Sequence, residues 1–223
     1  MSSFGLKIIA LISMLFDHCG YIFFNKITFI NVIGKLSFPI FAFQISEGYK
    51  YTKNLKLYFF RLFMFAVAAQ LPFILFLNCL GTTTFTLNIF FTLFLGLLSI
   101  TVYDKSKNKK LSLLFVLFII TIAQVINCDY GWFGVTIIFL FYLFKDKKLF
   151  MNLSFILAVV IKYIISYIQS PNKIHIYFAI STCLSLLFIN LYNNKKGRNI
   201  KYLLYIFYPL HLMVLVLLKF FVL

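Results

Sequence analysis

Nine runs of mainly apolar residues, most of them close to the length of a bilayer crossing, constrain this chain more than any other feature. They occupy roughly 6–24, 28–50, 57–77, 85–103, 111–126, 132–144, 149–168, 174–192 and 202–222 of the 223 residues. A helix rises about 1.5 Å per residue, so about 20 residues match a hydrocarbon layer roughly 30 Å thick. The sixth run is the shortest. Composition agrees: 63% of residues are hydrophobic and only 12% charged, with mean hydropathy +0.99, against roughly 45–50% apolar residues in soluble domains. The expected fold is all-α, a polytopic transmembrane helical bundle of about nine spans forming one integral membrane domain over 1–223. The first run carries Asp17 and His18 and has no small-residue cleavage site, so it is expected to persist as a helix rather than act as a removable signal peptide.

The formal charge of +16 would suggest nucleic acid in a soluble protein, but its distribution argues otherwise. Lys7, the trio Lys50, Lys53 and Lys56, the set Lys105, Lys107, Lys109 and Lys110, the trio Lys145, Lys147 and Lys148, and the set Lys195, Lys196, Arg198 and Lys201 fall at alternate ends of the runs. The other ends hold Lys26 and Lys173. The positive-inside rule then gives an N-in, C-out path, with the cations facing anionic lipid and no nucleic-acid partner. Cys19, Cys79, Cys128 and Cys183 form no CxxC or Cys/His cluster, so no metal site is expected. Cys79 and Cys128 share the outer side on this path, with two free thiols favoured over a disulfide.

Ionisable groups deep in a bilayer cost about 2.5–3.5 kcal/mol on insertion scales and usually face a bundle interior or a cavity. Counting about 1.5 Å per residue from the inner ends, His18 lies at about 18 Å, His211 at about 15 Å, Gln70 at roughly 20 Å, and Lys35 and Asn88 at roughly 22 Å. These five polar groups from five spans are expected to share one watery level. Glu47 and Arg61 lie nearer the cytoplasm, where they form either an ion pair across the YTKNLK hairpin or the rim of an entrance for a phosphate-bearing ligand. Adjacent helical residues do not face each other, so Asp17 is expected to pair with Lys35. His18 then finds its partner in Asp129 or on the face shared by Tyr208 and His211. A buried neutral imidazole is a suitable general base, although a membrane histidine also serves as an interhelical hydrogen-bond partner. Gly34, Gly48 and Gly96 fit close helix packing, Pro39 and Pro72 fit kinks, and Asn88, Thr92 and Gly96 line one face of a span suited to packing or to a tunnel wall. The residues alone leave a catalyst, a solute carrier and a non-catalytic assembly factor open.

Taken together, LKIIALISMLFDHCGYIFF (6–24), IGKLSFPIFAFQISEGYKYTKN (33–54), YFFRLFMFAVAAQLPF (58–73), LNIFFTLFLGLL (87–98), CDYGWFGV (128–135) and YIFYPLHL (205–212) resemble the TraX family of membrane proteins. The resemblance implies an acyltransferase of the bacterial cytoplasmic membrane that uses acetyl-CoA as acyl donor and a peptide or pilin-like acceptor. It implies His18, Asp17, His211 and Tyr208 as catalytic residues and Arg61, Glu47, Lys35, Asn88 and Gln70 as donor-binding residues, with no metal. In that scheme His18 deprotonates the acceptor, and Asn88, Gln70 or Tyr208 stabilises the oxyanion. Lys35 stands where the family more often has arginine, which keeps charge but loses bidentate geometry.

Overall fold

The computed structural model describes residues 1–24 and 29–222; Lys26, one of the two expected outer cations, lies outside them. Among the described residues the chain forms ten helices: α1 (Ser3–Phe23), α2 (Phe29–Gly34), α3 (Ser37–Tyr51), α4 (Leu55–Cys79), α5 (Ile89–Lys105), α6 (Lys109–Val125), α7 (Gly131–Leu143), α8 (Lys148–Gln169), α9 (Ile174–Asn190) and α10 (Lys201–Val222). Every apolar run contains a helix, and the second contains two. Ser3–Phe23, Phe29–Tyr51, Leu55–Cys79, Lys148–Gln169 and Tyr202–Phe221 are long and apolar enough to cross a membrane. The protein is an all-α, multi-pass membrane protein.

The break between α2 and α3 follows from Pro39. Proline has no N–H to give the carbonyl four residues back, and its ring clashes there; that residue is Lys35, where the helix stops after Gly34. Asparagines begin several other helices. Asn54 accepts from Leu57 N at 2.9 Å, Asn88 from Phe90 N at 3.0 Å and Asn108 from Leu111 N at 3.1 Å, each satisfying an orphan donor of a first turn. Pro72 and Pro209 lie inside continuous helices.

The chain forms two compact units, with boundaries inside α3, α4 and α8 and in the loop after α4. Unit 1 comprises Met1–Phe41, Leu71–Thr83 and Ile156–Leu223; unit 2 comprises Ala42–Gln70 and Thr84–Phe155. In unit 2, α7 has 13 residues, about 20 Å of helix, too short to span hydrocarbon unaided. Nine of its residues are buried, among them Phe133, Ile137, Ile138 and Phe141. A helix apolar on every side suits either a protein interior or lipid, and α7 is packed against both α5 and α6. Lipid tails are as apolar as leucine, so close packing and hydrogen bonds hold such helices together. Gly96 of α5 permits that closeness: a Cβ there would lie 2.4 Å from Ile138 Cδ1 of α7.

Three ties fit a strictly alternating path. Ser3 N and Phe4 N donate to the carbonyls of Lys195 and Lys196 at 2.8 and 3.1 Å, joining the start of α1 to the loop after α9. Tyr49 and Tyr142, near the ends of α3 and α7, both donate to the Asp104 carboxylate near the end of α5, Tyr49 at 2.7 Å. The α4–α5 and α6–α7 loops meet in a backbone bridge at Leu87 and Cys128. Each tie joins ends that alternation puts on one side. The direction rests on the charge count, so an impermeant amine reagent outside sealed cells is expected to modify exposed Lys173 and spare exposed Lys107; modification of Lys107 would reverse the path.

Candidate functional site

The site begins where α1 and α2 of unit 1 cross. Gly34 has no side chain, and a Cβ on it would stand 2.3 Å from Asp17 Cβ and 2.7 Å from Asp17 Cα. Gly20 is equally tight against Asn31, whose amide would lie 2.5 Å from an added Cβ. This close approach lets Asn31, fully buried, donate to the Asp17 carbonyl at 2.9 Å and to its Oδ1 at 3.4 Å. Just past the α2 break, Lys35 reaches back to Asp17 Oδ1 at 3.0 Å and Oδ2 at 2.9 Å, and donates to the Tyr21 hydroxyl at 3.1 Å. Phe178 of α9 presents its ring to the same ammonium at 4.9 Å. The expected Asp17–Lys35 pair is therefore present, with Asn31, Tyr21 and Phe178 around it. Lys35→Met would leave a buried carboxylate unpaired, at a cost of about 3–5 kcal/mol. A lowered thermal midpoint in detergent, with much of the loss recovered by Asp17→Asn in the same chain, is the expected result; an unchanged midpoint for the single variant would remove the pair from the account.

His18, one residue on, turns to α10. Its Nδ1 lies 2.7 Å from Nε2 of His211, and His211 Nδ1 donates to the Phe207 carbonyl at 2.7 Å. The two ring centroids are 4.9 Å apart with planes 29° from parallel, an edge-to-edge arrangement consistent with an in-plane nitrogen–nitrogen hydrogen bond. Phe76 of α4 packs its edge on His18 at 5.0 Å, Phe207 stacks on His211 at 4.8 Å, and Tyr208 stands 6.3 and 5.8 Å from the two imidazoles. His211 and Tyr208 are buried, whereas His18 is half-buried. Among the described residues none hydrogen-bonds to His18 Nε2. Of the two partners expected for His18, the Tyr208/His211 face supplies it. Asp129 instead lies in unit 2, where its backbone carbonyl accepts from the Thr92 hydroxyl.

The remaining expected residues lie in unit 2. Gln70 Oε1 accepts from Asn88 N at 3.0 Å and Asn88 Nδ2 at 2.8 Å; Gln70 Nε2 donates to Thr86 O at 2.8 Å, and Asn88 Nδ2 also donates to Ala66 O at 2.7 Å. Both amide hydrogens of Asn88 are spent, so this cluster clamps α4 to the start of α5 and leaves Asn88 no donor for an oxyanion. With Thr92 bonded to Asp129 and Gly96 against Ile138, the Asn88–Thr92–Gly96 face is a packing face. Of the two alternatives for Glu47 and Arg61, the hairpin ion pair between them is not formed. Glu47 Oε2 and Arg61 Nε are buried without a hydrogen-bond partner among the described residues, and the Arg61 guanidinium lies 5.7 Å from the Tyr58 ring. Gly48 brings α3 against that ring: a Cβ there would be 2.6 Å from the Tyr58 hydroxyl.

Asn31, Tyr21, Phe76 and the Phe207 carbonyl were missed from the sequence. Only Asn31 left a signal there, as an amide in an apolar run beside a close-packing glycine. The four cysteines are free thiols, and no group of three or more His, Cys, Asp or Glu among the described residues is placed to hold a metal ion. Burial pushes the Cys128 thiol up to about 11, with the neighbouring Asp129 charge adding to the effect. The thiolate is the reactive form, so Cys128 is expected to resist iodoacetamide at pH 8 and to react only as the pH approaches 11. Rapid alkylation at pH 8 would contradict its burial.

No solved structure matches the chain. A curated relative, the "Probable fimbrial assembly protein FimC, serogroup H1" of Dichelobacter nodosus, is 26% identical over 234 residues, covering 96% of this chain and 94% of the relative. The TraX protein family model matches residues 2–219, nearly the whole chain, and the protein belongs to the TraX family.

Proposed function

We propose that the protein is a membrane-embedded acyltransferase, carrying acetyl from acetyl-CoA to the amino group of a peptide or pilin-like acceptor. The observation that carries this reading is the His18–His211 pair. An imidazole with one nitrogen held at 2.7 Å and the other unclaimed by any described residue, on a half-buried residue inside an apolar span, has the form of a positioned general base. A structural histidine would be expected to use both nitrogens, as His211 does. Asp17 and Lys35 serve the site by holding α1 against α2 next to His18. Tyr208, beside both rings, is the candidate donor toward the tetrahedral oxyanion. Arg61, whose buried Nε has no hydrogen-bond partner among the described residues, and Glu47 are retained separately as candidates for binding the acyl donor. The bacterial cytoplasmic membrane is the location this reading assigns.

The test is release of free CoA from acetyl-CoA by the purified protein in nanodiscs with pilin-like peptides of free N-terminus. Release that requires the peptide is expected; no release with any acceptor would defeat the reading. A non-catalytic assembly role is the second reading, favoured by the Dichelobacter nodosus relative being a probable fimbrial assembly protein, and it predicts a loss of pilus assembly on deletion without any CoA release by the protein.

A further inference from the structure

We propose that His18 and His211 share a single donor chain with fixed tautomers, in which His211 is a positioning residue and His18 Nε2 is the nitrogen that meets substrate. The proposal rests on the acyl-transfer reading for its chemistry, but the tautomers follow from the hydrogen bonds alone. A carbonyl oxygen only accepts, so the 2.7 Å contact with Phe207 O puts a proton on His211 Nδ1. A neutral imidazole carries one N–H, and His211 Nε2 is therefore a lone pair. The 2.7 Å contact from His18 Nδ1 to that lone pair then requires the His18 proton on Nδ1. His18 Nε2 is left as a bare base. Asp17, the neighbouring carboxylate, does not set this tautomer: adjacent helical residues point apart, and His18 Nδ1 is engaged with His211 instead.

The groups packed around the pair leave the chain intact. Phe76 comes from α4, and Phe207 and Tyr208 come from α10. The nearby charges in unit 1, Asp17 and Lys35, neutralise each other. In the reaction the acceptor nitrogen bonds to the thioester carbonyl carbon and its proton passes to His18 Nε2. The carbon–sulfur bond then breaks, and the departing thiolate takes that proton, restoring the free base. While His18 holds the extra proton, its Nδ1 proton can move along the hydrogen bond to His211 Nε2. Positive charge is then spread over both rings, with the His211 N–H groups still bonded to Phe207 O and to His18.

The chain has three histidines, so nitrogen NMR on ¹⁵N-histidine protein reads the pair directly, with His175→Ala removing the third set of signals. At neutral pH both His18 and His211 are expected to carry Nδ1–H and a bare Nε2, with a nitrogen–nitrogen coupling across their hydrogen bond. His211→Ala should move His18 to the Nε2–H tautomer and slow CoA release about 100-fold with the KM for acetyl-CoA unchanged. His211→Gln, which keeps an acceptor, should restore the Nδ1–H form and most of the rate. Wild-type His18 protonated at Nε2, or a His18 tautomer unmoved by His211→Ala, would overturn the proposal; if the alanine variant does not fold, the wild-type spectrum decides. These signals do not depend on turnover, so failure of the tautomer proposal and failure of the acyl-transfer reading are separable.

Discussion

Replacing His18 by alanine is expected to reduce peptide-dependent CoA release by at least 100-fold while the protein still elutes as a folded particle with an unaltered helical spectrum. General-base catalysis supplies about 10²–10⁴ in rate, and no other described residue places an unclaimed imidazole nitrogen beside His211. The fold should tolerate the change because His18 is half-buried and, among the described residues, its one hydrogen bond is to His211. The α1–α2 contact is made by Asp17, Gly20, Asn31 and Gly34 instead. His18→Gln, which retains a donor but offers no base of comparable strength, should be equally inactive. Release at the wild-type rate by folded His18→Ala would take this residue out of the chemistry.

Gly34→Ala is expected to be the most damaging single methyl group in unit 1. The added carbon would meet Asp17 Cβ at 2.3 Å and Cα at 2.7 Å, and a backbone atom cannot rotate out of the way. The helices must part, at an overpacking cost of about 1–3 kcal/mol or more. The separation would lengthen the Lys35–Asp17 contacts and move the helical turn that carries His18. Gly20→Ala provides the contrast, since its nearest neighbours are the amide atoms of a side chain, Asn31. The expected result is a clear fall in thermal midpoint and loss of CoA release for Gly34→Ala, with a smaller fall for Gly20→Ala. Equal, small effects from both would mean that the crossing is looser than described.

Hydropathy made the helices legible because a bilayer imposes a length, and charge alternation gave an order of sides with which the end-to-end ties agree. The Asp17–Lys35 pair was legible for a different reason: adjacent residues on a helix diverge, so a carboxylate beside His18 had to find its cation on another helix. The break after Gly34 was written in Pro39, although a kink was the milder expectation. Rotational phase was not legible. Glu47 and Arg61 face each other only if two helices turn the right faces inward, and a nearly uniform apolar sequence does not specify that. Asn88 was placed by depth among groups suited to a ligand, yet it caps α5 through Oδ1, and its amide hydrogens go to Ala66 and Gln70, partners that its depth alone did not reveal. The burial of α7 was also hidden, because a run apolar on all sides looks the same facing lipid or protein. The TraX membership agrees with the resemblance carried by the six motifs, while the bond between His18 and His211, 193 residues apart, needed the fold.

The most direct measurement follows radiolabelled acetyl from acetyl-CoA in nanodiscs containing the wild-type protein and a pilin-like peptide. Acyl transfer at the His18–His211 pair predicts label on the peptide amine in step with the CoA thiol released, and neither product with His18→Ala. Folded wild-type protein that leaves all label on CoA across the acceptor peptides would contradict it.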